Sequence, residues 1–210
     1  LIHDKRGGGM QGAVDTHIFG VLEDLFTFCT QVECFASPLN ATWPTFLSAF
    51  SRDIDWFFGS TGDFFSFEGT PNSLCMEVNP PFSPGLMTQM AKNLVDLTVQ
   101  AEARQQHLTV VVIVPTVDLS TPVSHLKTVP RFCRTSFAML VECSACVRHV
   151  VLKREDHGYI EGAQHIRPTR YKDSTYDTSM IILQTKVPSD LTDLNLMEDR
   201  LRIAFQSRHK

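Results

Sequence analysis

The spacing of apolar positions changes several times along this chain, and each change predicts an element. Val14, Ile18, Val21, Leu22, Leu25 and Phe28 recur close to every 3.6 residues, which predicts an amphipathic helix over 14–28. The short, partly β-branched stretch 31–36 reads as a strand ending at Ser37-Pro38. Residues 43–58 form an aromatic helix or loop closed by the turn Gly59-Ser60-Thr61-Gly62, and 63–67 reads as a short strand. Residues 74–78 predict a buried strand, stopped by Asn79-Pro80-Pro81-Phe82 because consecutive prolines cannot continue a ladder. Ser83 and Pro84 are the residue types of an N-cap and a first helical position, opening a helix that runs to about 106. The unbroken aliphatic run over 108–114 predicts a strand covered on both faces and ended by Pro115. Residues 136–143 and 179–184 read as two late strands, and Leu194, Met197, Leu201 and Phe205 place a helix over 193–205.

Helices alternating with strands, and two late strands with little helix between them, predict an α/β fold: a mostly parallel sheet with an antiparallel edge and helices on both faces. A chain of 210 residues and 23.6 kDa fits one domain. That domain is placed at 13–210, after a flexible N-terminal segment over 1–12 that contains Arg6-Gly7-Gly8-Gly9. A phosphate-cradling role for those glycines lacks the following Lys-Ser/Thr and the preceding strand. The start at Leu1, without Met or a signal-peptide core, reads as a fragment. The longest aliphatic run, 110–114, falls far short of the roughly 20 residues a membrane-crossing helix needs.

Charge sharpens this picture. Residues 13–77 carry nine acids against Arg52 alone, whereas 131–172 carry eight bases against four acids. A basic third on a protein of net charge −4 predicts local attraction for a polyanion. Lys153, Arg154, Arg167, Arg170 and Lys172, interleaved with His157, Tyr159, His165 and Tyr171, form the best RNA-facing stretch, where rings stack bases and cations meet phosphates. The six cysteines lie among apolar neighbours and read as reduced core residues. Cys143-Ser144-Ala145-Cys146 with His149 has the spacing of half a zinc site, but no second pair follows, so no metal is expected. Trp43 and Trp56 suit either the core or a grip on a methylated guanine.

The strongest chemical signal is Asn79-Pro80-Pro81-Phe82 at the carboxyl end of a predicted strand, where open parallel sheets bind ligands. The prolines fix the backbone and remove two N–H donors, leaving the Asn79 side-chain oxygen and the Pro80 carbonyl as acceptors beside the Phe82 ring. An exocyclic amine has the two N–H donors that such a corner takes. Adenine held there through N6 is oriented for in-line attack on a methyl group carried by a sulfonium, a reaction that needs positioning and no metal.

This tetrapeptide resembles the amino-methyltransferase motif Asp or Asn, Pro, Pro, then Tyr, Phe or Trp. The run Glu33-Cys34-Phe35-Ala36-Ser37-Pro38-Leu39-Asn40, then Phe58-Gly59-Ser60-Thr61-Gly62, then Glu77-Val78-Asn79-Pro80-Pro81-Phe82, is similar to the catalytic domain of the phosphorylated-CTD-interacting-factor family, the cap-specific adenosine N6-methyltransferases. Weaker likeness runs through 111–115, 162–166 and 181–184. The resemblance implies a Rossmann-like, S-adenosylmethionine-dependent methyltransferase domain. Its methyl donor would be S-adenosylmethionine, and its acceptor N6 of 2′-O-methyladenosine beside the 7-methylguanosine cap of mRNA. It implies Asn79, Pro80, Pro81 and Phe82 as the catalytic corner, and Phe35, Ala36, Ser37, Pro38, Phe58, Gly59, Ser60 and Glu77 as the lining of the methyl-donor site. Lys153, Arg154, His165, Arg167 and Arg170 are then the candidate RNA contacts. Where such enzymes usually carry Gly-x-Gly, this chain has Phe35-Ala36-Ser37-Pro38. The family's WW module is not recognised in these residues, so contact with the RNA polymerase II C-terminal domain (CTD) is expected only through a region outside this chain. The nucleus is the expected location, with the cytoplasm as the alternative. A cap-binding pseudoenzyme and an N6-adenine methyltransferase acting on another nucleic acid are the competing readings.

Overall fold

The computed structural model describes residues 12–49, 55–69, 73–161, 171–186 and 193–206. In chain order the elements are β1 (Gly12–Ala13), α1 (Thr16–Leu25), β2 (Thr30–Cys34), β3 (Phe46–Leu47), β4 (Leu74–Val78), α2 (Pro84–Ala103) and β5 (Leu108–Pro115). There follow α3 (Thr128–Val141), β6 (Cys146–Leu152), β7 (Gly158–Glu161), β8 (Tyr171–Asp173), β9 (Thr178–Gln184) and α4 (Leu194–Gln206). Six strands form the main sheet in the order β3-β2-β4-β5-β9-β6, and β1-β7-β8 form a small second sheet.

Period-two alternation decides which side of the main sheet each residue covers. Along β5, Leu108, Val110, Val112 and Val114 join the cluster built with α2 and α3, while Val111 and Ile113 join the one built with α1 and α4. All eight residues of β5 are buried, as the unbroken Val/Ile run requires. Helix α1 starts at Asp15, whose carboxylate accepts from the His17 backbone N–H at 3.0 Å, and it buries Ile18, Phe19 and Leu22 against the sheet. The α/β class with helices on both faces therefore holds. No helix among the described residues is long and apolar enough to cross a membrane.

Several expectations need correction. The antiparallel strand is not at the edge: β9 runs antiparallel to both β5 and β6, so it lies inside the sheet and the edge strand β6 is parallel to the rest. Residues 136–143 are not a strand but mostly the end of α3. Cys133, Ser136, Phe137 and Leu140 are its buried stripe, a helical spacing that a local run of apolar letters hides. The late strand is instead β6, whose alternation is broken by Arg148 and His149. Residues 64–66, expected in a strand, form a 3₁₀ turn capped by Asp63, which accepts from the Phe65 N–H at 3.1 Å. The aromatic stretch holds the short strand β3 and a 3₁₀ turn over Asp55–Phe58. Gly12, assigned to the flexible segment, pairs in β1, and residues 1–11 lie outside the described residues.

The turn that ends β2 is the local feature that bears most on the site. Phe35 adopts φ 63°, the left-handed region where side chains are disfavoured and glycine is at ease. Aromatic packing holds it there: its ring lies 4.4 Å from that of Phe64 and 5.9 Å from that of Phe65. The chain thus makes a glycine-like turn without a glycine. Phe35→Ala and Phe35→Gly both remove the ring, so their difference isolates the backbone. The glycine variant is expected to be about 0.5–1 kcal/mol more stable in urea denaturation, opposite to the usual order. An alanine variant of equal or greater stability would refute strain at this turn.

Candidate active site

The chain runs outward from β2 to β3, then returns across the sheet to β4 and on to β5, so the gap between β2 and β4 is a point where strand order reverses. Such points open a crevice at the carboxyl ends of the strands. Here the crevice is a cleft of about 160 Å³, bordered by Cys34, Phe35, Ala36 and Ser37 after β2, by Glu77, Asn79, Pro80, Pro81 and Phe82 at the end of β4, and by Gly12 and Ala13 of β1. Val14 and Phe19 also border it.

Asn79, Pro80, Pro81 and Phe82, the corner expected from the sequence, all border this cleft. The Asn79 Nδ2 donates to the Gly12 carbonyl at 2.7 Å. The Pro81 carbonyl accepts from the Ser83 N–H at 2.8 Å and is thereby occupied. Phe82 borders the cleft but is only 4% exposed, and Tyr176 meets it edge-on at 5.6 Å. It is therefore a core residue with part of its ring in the wall of the site. Immediately beyond, Ser83 and Pro84 start α2, with the Ser83 carbonyl accepting from Met87 at 2.9 Å.

Two carboxyl groups lie beneath this corner. Glu33 and Glu77 are register partners on β2 and β4, and both are buried, at 6% and 2% exposure. The Glu33 Oε2 accepts the backbone N–H groups of Thr42 at 2.6 Å and Trp43 at 2.8 Å. Burial pushes its pKa up while those two bonds pull it down. Glu77 has no such compensation: its Oε1 is buried without a partner. Burial first, and the Glu33 charge second, push the Glu77 carboxyl well above its ordinary range. A buried acceptor without a donor, bordering a cleft, is the place where a cationic or hydroxyl-bearing ligand is worth most.

Of the expected methyl-donor residues, Phe35, Ala36, Ser37 and Glu77 border the cleft. Pro38 sits in the adjoining turn, where the Asn40 Oδ1 accepts from the Ser37 N–H and Oγ at 2.7 Å. Phe58, Gly59 and Ser60 stand apart from the cleft: Phe58 is 66% exposed, and the Thr61 N–H after them donates to Phe46 of β3. Sequence reasoning left Glu33 out of the site, although it heads the eight-residue run quoted above. Gly12, Val14 and Phe19 carried no local signal at all, since the fold alone brings them here.

Lys153 and Arg154 follow β6, at the same end of the sheet as Asn79. Three strand spacings separate them from β4, roughly 14 Å. Lys153 forms an ion pair with Asp177 at 2.8 Å, and the Arg154 backbone N–H donates to the same carboxylate at 3.1 Å. His165, Arg167 and Arg170 lie outside the described residues, in the link between β7 and β8. Trp43 is core, edge-on to Phe19 at 5.1 Å with its indole N–H on Glu23, whereas Trp56 is 58% exposed beside Phe57. Cys143 and Cys146 bracket the turn after α3, while His149 bonds to Ser179 at 2.8 Å. Among the described residues no cluster of three or more His, Cys, Asp or Glu could hold a metal ion.

With this geometry in place, comparison with known proteins is informative. A family model described as "Phosphorylated CTD interacting factor 1 WW domain" matches residues 2–162. Two curated relatives are named mRNA (2'-O-methyladenosine-N(6)-)-methyltransferase. The one from Mus musculus is 34% identical and the one from Homo sapiens 33% identical, each over 183 residues and 85% of this chain. The chain spans 23% of the length of each of these relatives. The matched stretch reaches from before β1 to beyond β7 and so takes in both walls of the cleft, and the chain belongs to the phosphorylated CTD interacting factor 1 family.

Proposed function

We propose that this chain carries the methyl-transfer site of a cap-specific mRNA adenosine N6-methyltransferase with a Rossmann-like fold. The carrying observation is the Asn79-Pro80-Pro81-Phe82 corner, which opens on a cleft at the point of strand reversal, above a buried carboxyl group that has no partner. The relatives' names support the acceptor, and the sheet order supports the fold. S-adenosylmethionine, when bound, supplies an electrophilic methyl group on a sulfonium. The residues present suit it: Glu77 offers an unsatisfied carboxyl to an ammonium, and the turn from Phe35 to Ser37 lets the backbone approach closely.

Asn79, Pro80 and Phe82 then share the work of the corner. The Asn79 Oδ1 and the Pro80 carbonyl accept the two N6 protons and aim the nitrogen lone pair. Their dipoles also stabilise the positive charge that grows on the amine as it attacks. The Phe82 ring walls the adenine site, and the excess proton leaves to water through the open mouth. Lys153 and Arg154 provide positive charge for the RNA backbone, with Arg154 contributing more because Asp177 partly neutralises Lys153. His165, Arg167 and Arg170 would extend that surface, and the description of the matching family model supports a contact with the CTD.

Asn79→Ala is the cleanest test, because Phe82→Ala would also open a hole in the core. Turnover on capped RNA beginning with adenosine should fall on the order of 10²–10³-fold with an unchanged melting temperature; near-normal methylation by this variant would defeat the assignment. For Glu77 the sign of the pH effect is fixed. The folded state holds its proton more tightly than the unfolded chain, so its contribution to stability is lost as pH rises from near 4.5 toward the folded value. Glu77→Gln should therefore gain stability over wild type as pH increases, while weakening S-adenosylmethionine binding in calorimetry; parallel melting curves across pH would contradict this. Neutralising Lys153 and Arg154 together should weaken RNA binding and flatten the salt dependence by about 0.7 per lost phosphate contact. An unchanged slope removes this patch from the RNA surface.

A further inference from the structure

Strand β1 is only two residues long, yet it touches the side chain on which the proposed chemistry turns. The Asn79 Nδ2 reaches the Gly12 carbonyl across 67 positions of sequence. A carbonyl oxygen accepts and never donates, so the carboxamide can meet Gly12 only through its NH₂ end. Turned over, Asn79 would place two acceptor oxygens against each other. The Gly12 carbonyl therefore decides which end of the amide is left for the cleft, and that end is Oδ1.

Gly12 is itself fixed from the other side. Gly12 pairs with Glu161 and Ala13 with Ile160, which seats β1 on β7. A Cβ at position 12 would lie 2.7 Å from Tyr159 Cβ and 2.9 Å from its Cγ, closer than such atoms approach. The ring has no freedom to yield: Tyr159 is 7% exposed, and its hydroxyl shares a 2.7 Å hydrogen bond with Thr178 Oγ1. Residue 12 must lack a side chain for its carbonyl to reach Asn79.

We infer that Gly12 is a positioning residue for methyl transfer: its carbonyl, seated by the β1–β7 pairing and by close packing on Tyr159, orients the Asn79 carboxamide oxygen toward the acceptor amine. The inference rests on the proposed function of the cleft. It also accounts for Asn at a motif position that admits Asp, since a carboxylate there would face the Gly12 carbonyl with no proton to share.

Gly12→Ala in the full chain tests it. The kcat on capped RNA should fall on the order of 10²-fold, the effect of misplacing a reacting group, with KM for RNA and for S-adenosylmethionine little changed. Asn79→Asp should cost far less in the Gly12→Ala background than in wild type, because the carbonyl it repels has already moved. Equal losses in both backgrounds, or an unchanged kcat in Gly12→Ala, overturn the inference. The side-chain amide protons of Asn79, assigned by their disappearance in Asn79→Ala, provide a readout that needs no turnover. They should exchange slowly in wild type and quickly in Gly12→Ala. Fast exchange in wild type, or the same slow exchange in the variant, also overturns it. If the wild-type chain fails to methylate capped RNA, the proposed function falls, and the amide signal alone decides whether Gly12 orients Asn79.

Discussion

In a parallel pair both strands end at the same edge, and β2 and β4 pair residue for residue from Thr30↔Leu74 to Cys34↔Val78. That register brings the turn at Phe35 level with the corner at Asn79. It also sets Glu33 beside Glu77, because register partners in a parallel pair share a face. A shift of one residue would turn one of the two acids to the opposite face and break the alignment of the two walls. The hydrophobic partners on the other face, Val32 and Cys34 with Met76 and Val78, are buried in a single cluster and hold the register against such a slip. Packing on one side of the sheet thus fixes chemistry on the other.

The local departures from comfortable structure gather around this alignment. Phe35 is held in a left-handed conformation, and Glu77 carries the only buried carboxylate oxygen without a partner among the described residues. Gly12 sits where no side chain fits. Each costs stability, and the extensive core beneath β4 and β5 offsets the cost. Strain and unsatisfied polarity gather at preorganised sites, and here all three residues border one cleft.

What was legible in the sequence follows the range over which each interaction acts. Strands β2, β4 and β5 and helix α2 were readable because punctuation and burial are local: two prolines stop β4, Ser83-Pro84 opens α2, and the Val/Ile run of β5 is unbroken. The Asn79 corner could be read for the same reason. Helix α3 reads as a strand at Ser136-Phe137-Ala138-Met139-Leu140-Val141, where apolar residues on two faces of a helix look like a continuous run. Strand β6 was missed because Arg148 and His149 interrupt its alternation, Arg148 reaching Asn195 and His149 reaching Ser179. The interior position of β9 depends on pairing with both β5 and β6, which no window of sequence contains.

Charge provides the last step. The acids of the N-terminal half are not a uniformly solvated face, since Glu33 and Glu77 lie buried at the base of the cleft and Glu23 accepts from the Trp43 indole. The bases of the later third are likewise partly committed, Lys153 to Asp177 and Arg148 to Glu198. Counting charges along the chain therefore overstates the free field on both sides. What survives is positional: buried acid at the β2–β4 cleft and exposed base beyond β6, at the same end of one sheet. Under the proposed function that separation has a use, because a cationic methyl donor and a polyanionic acceptor would each be drawn to its own part of the edge. The strand order brings two blocks far apart in sequence to one end of the sheet, buried carboxyl groups at the β2–β4 cleft and exposed bases beyond β6.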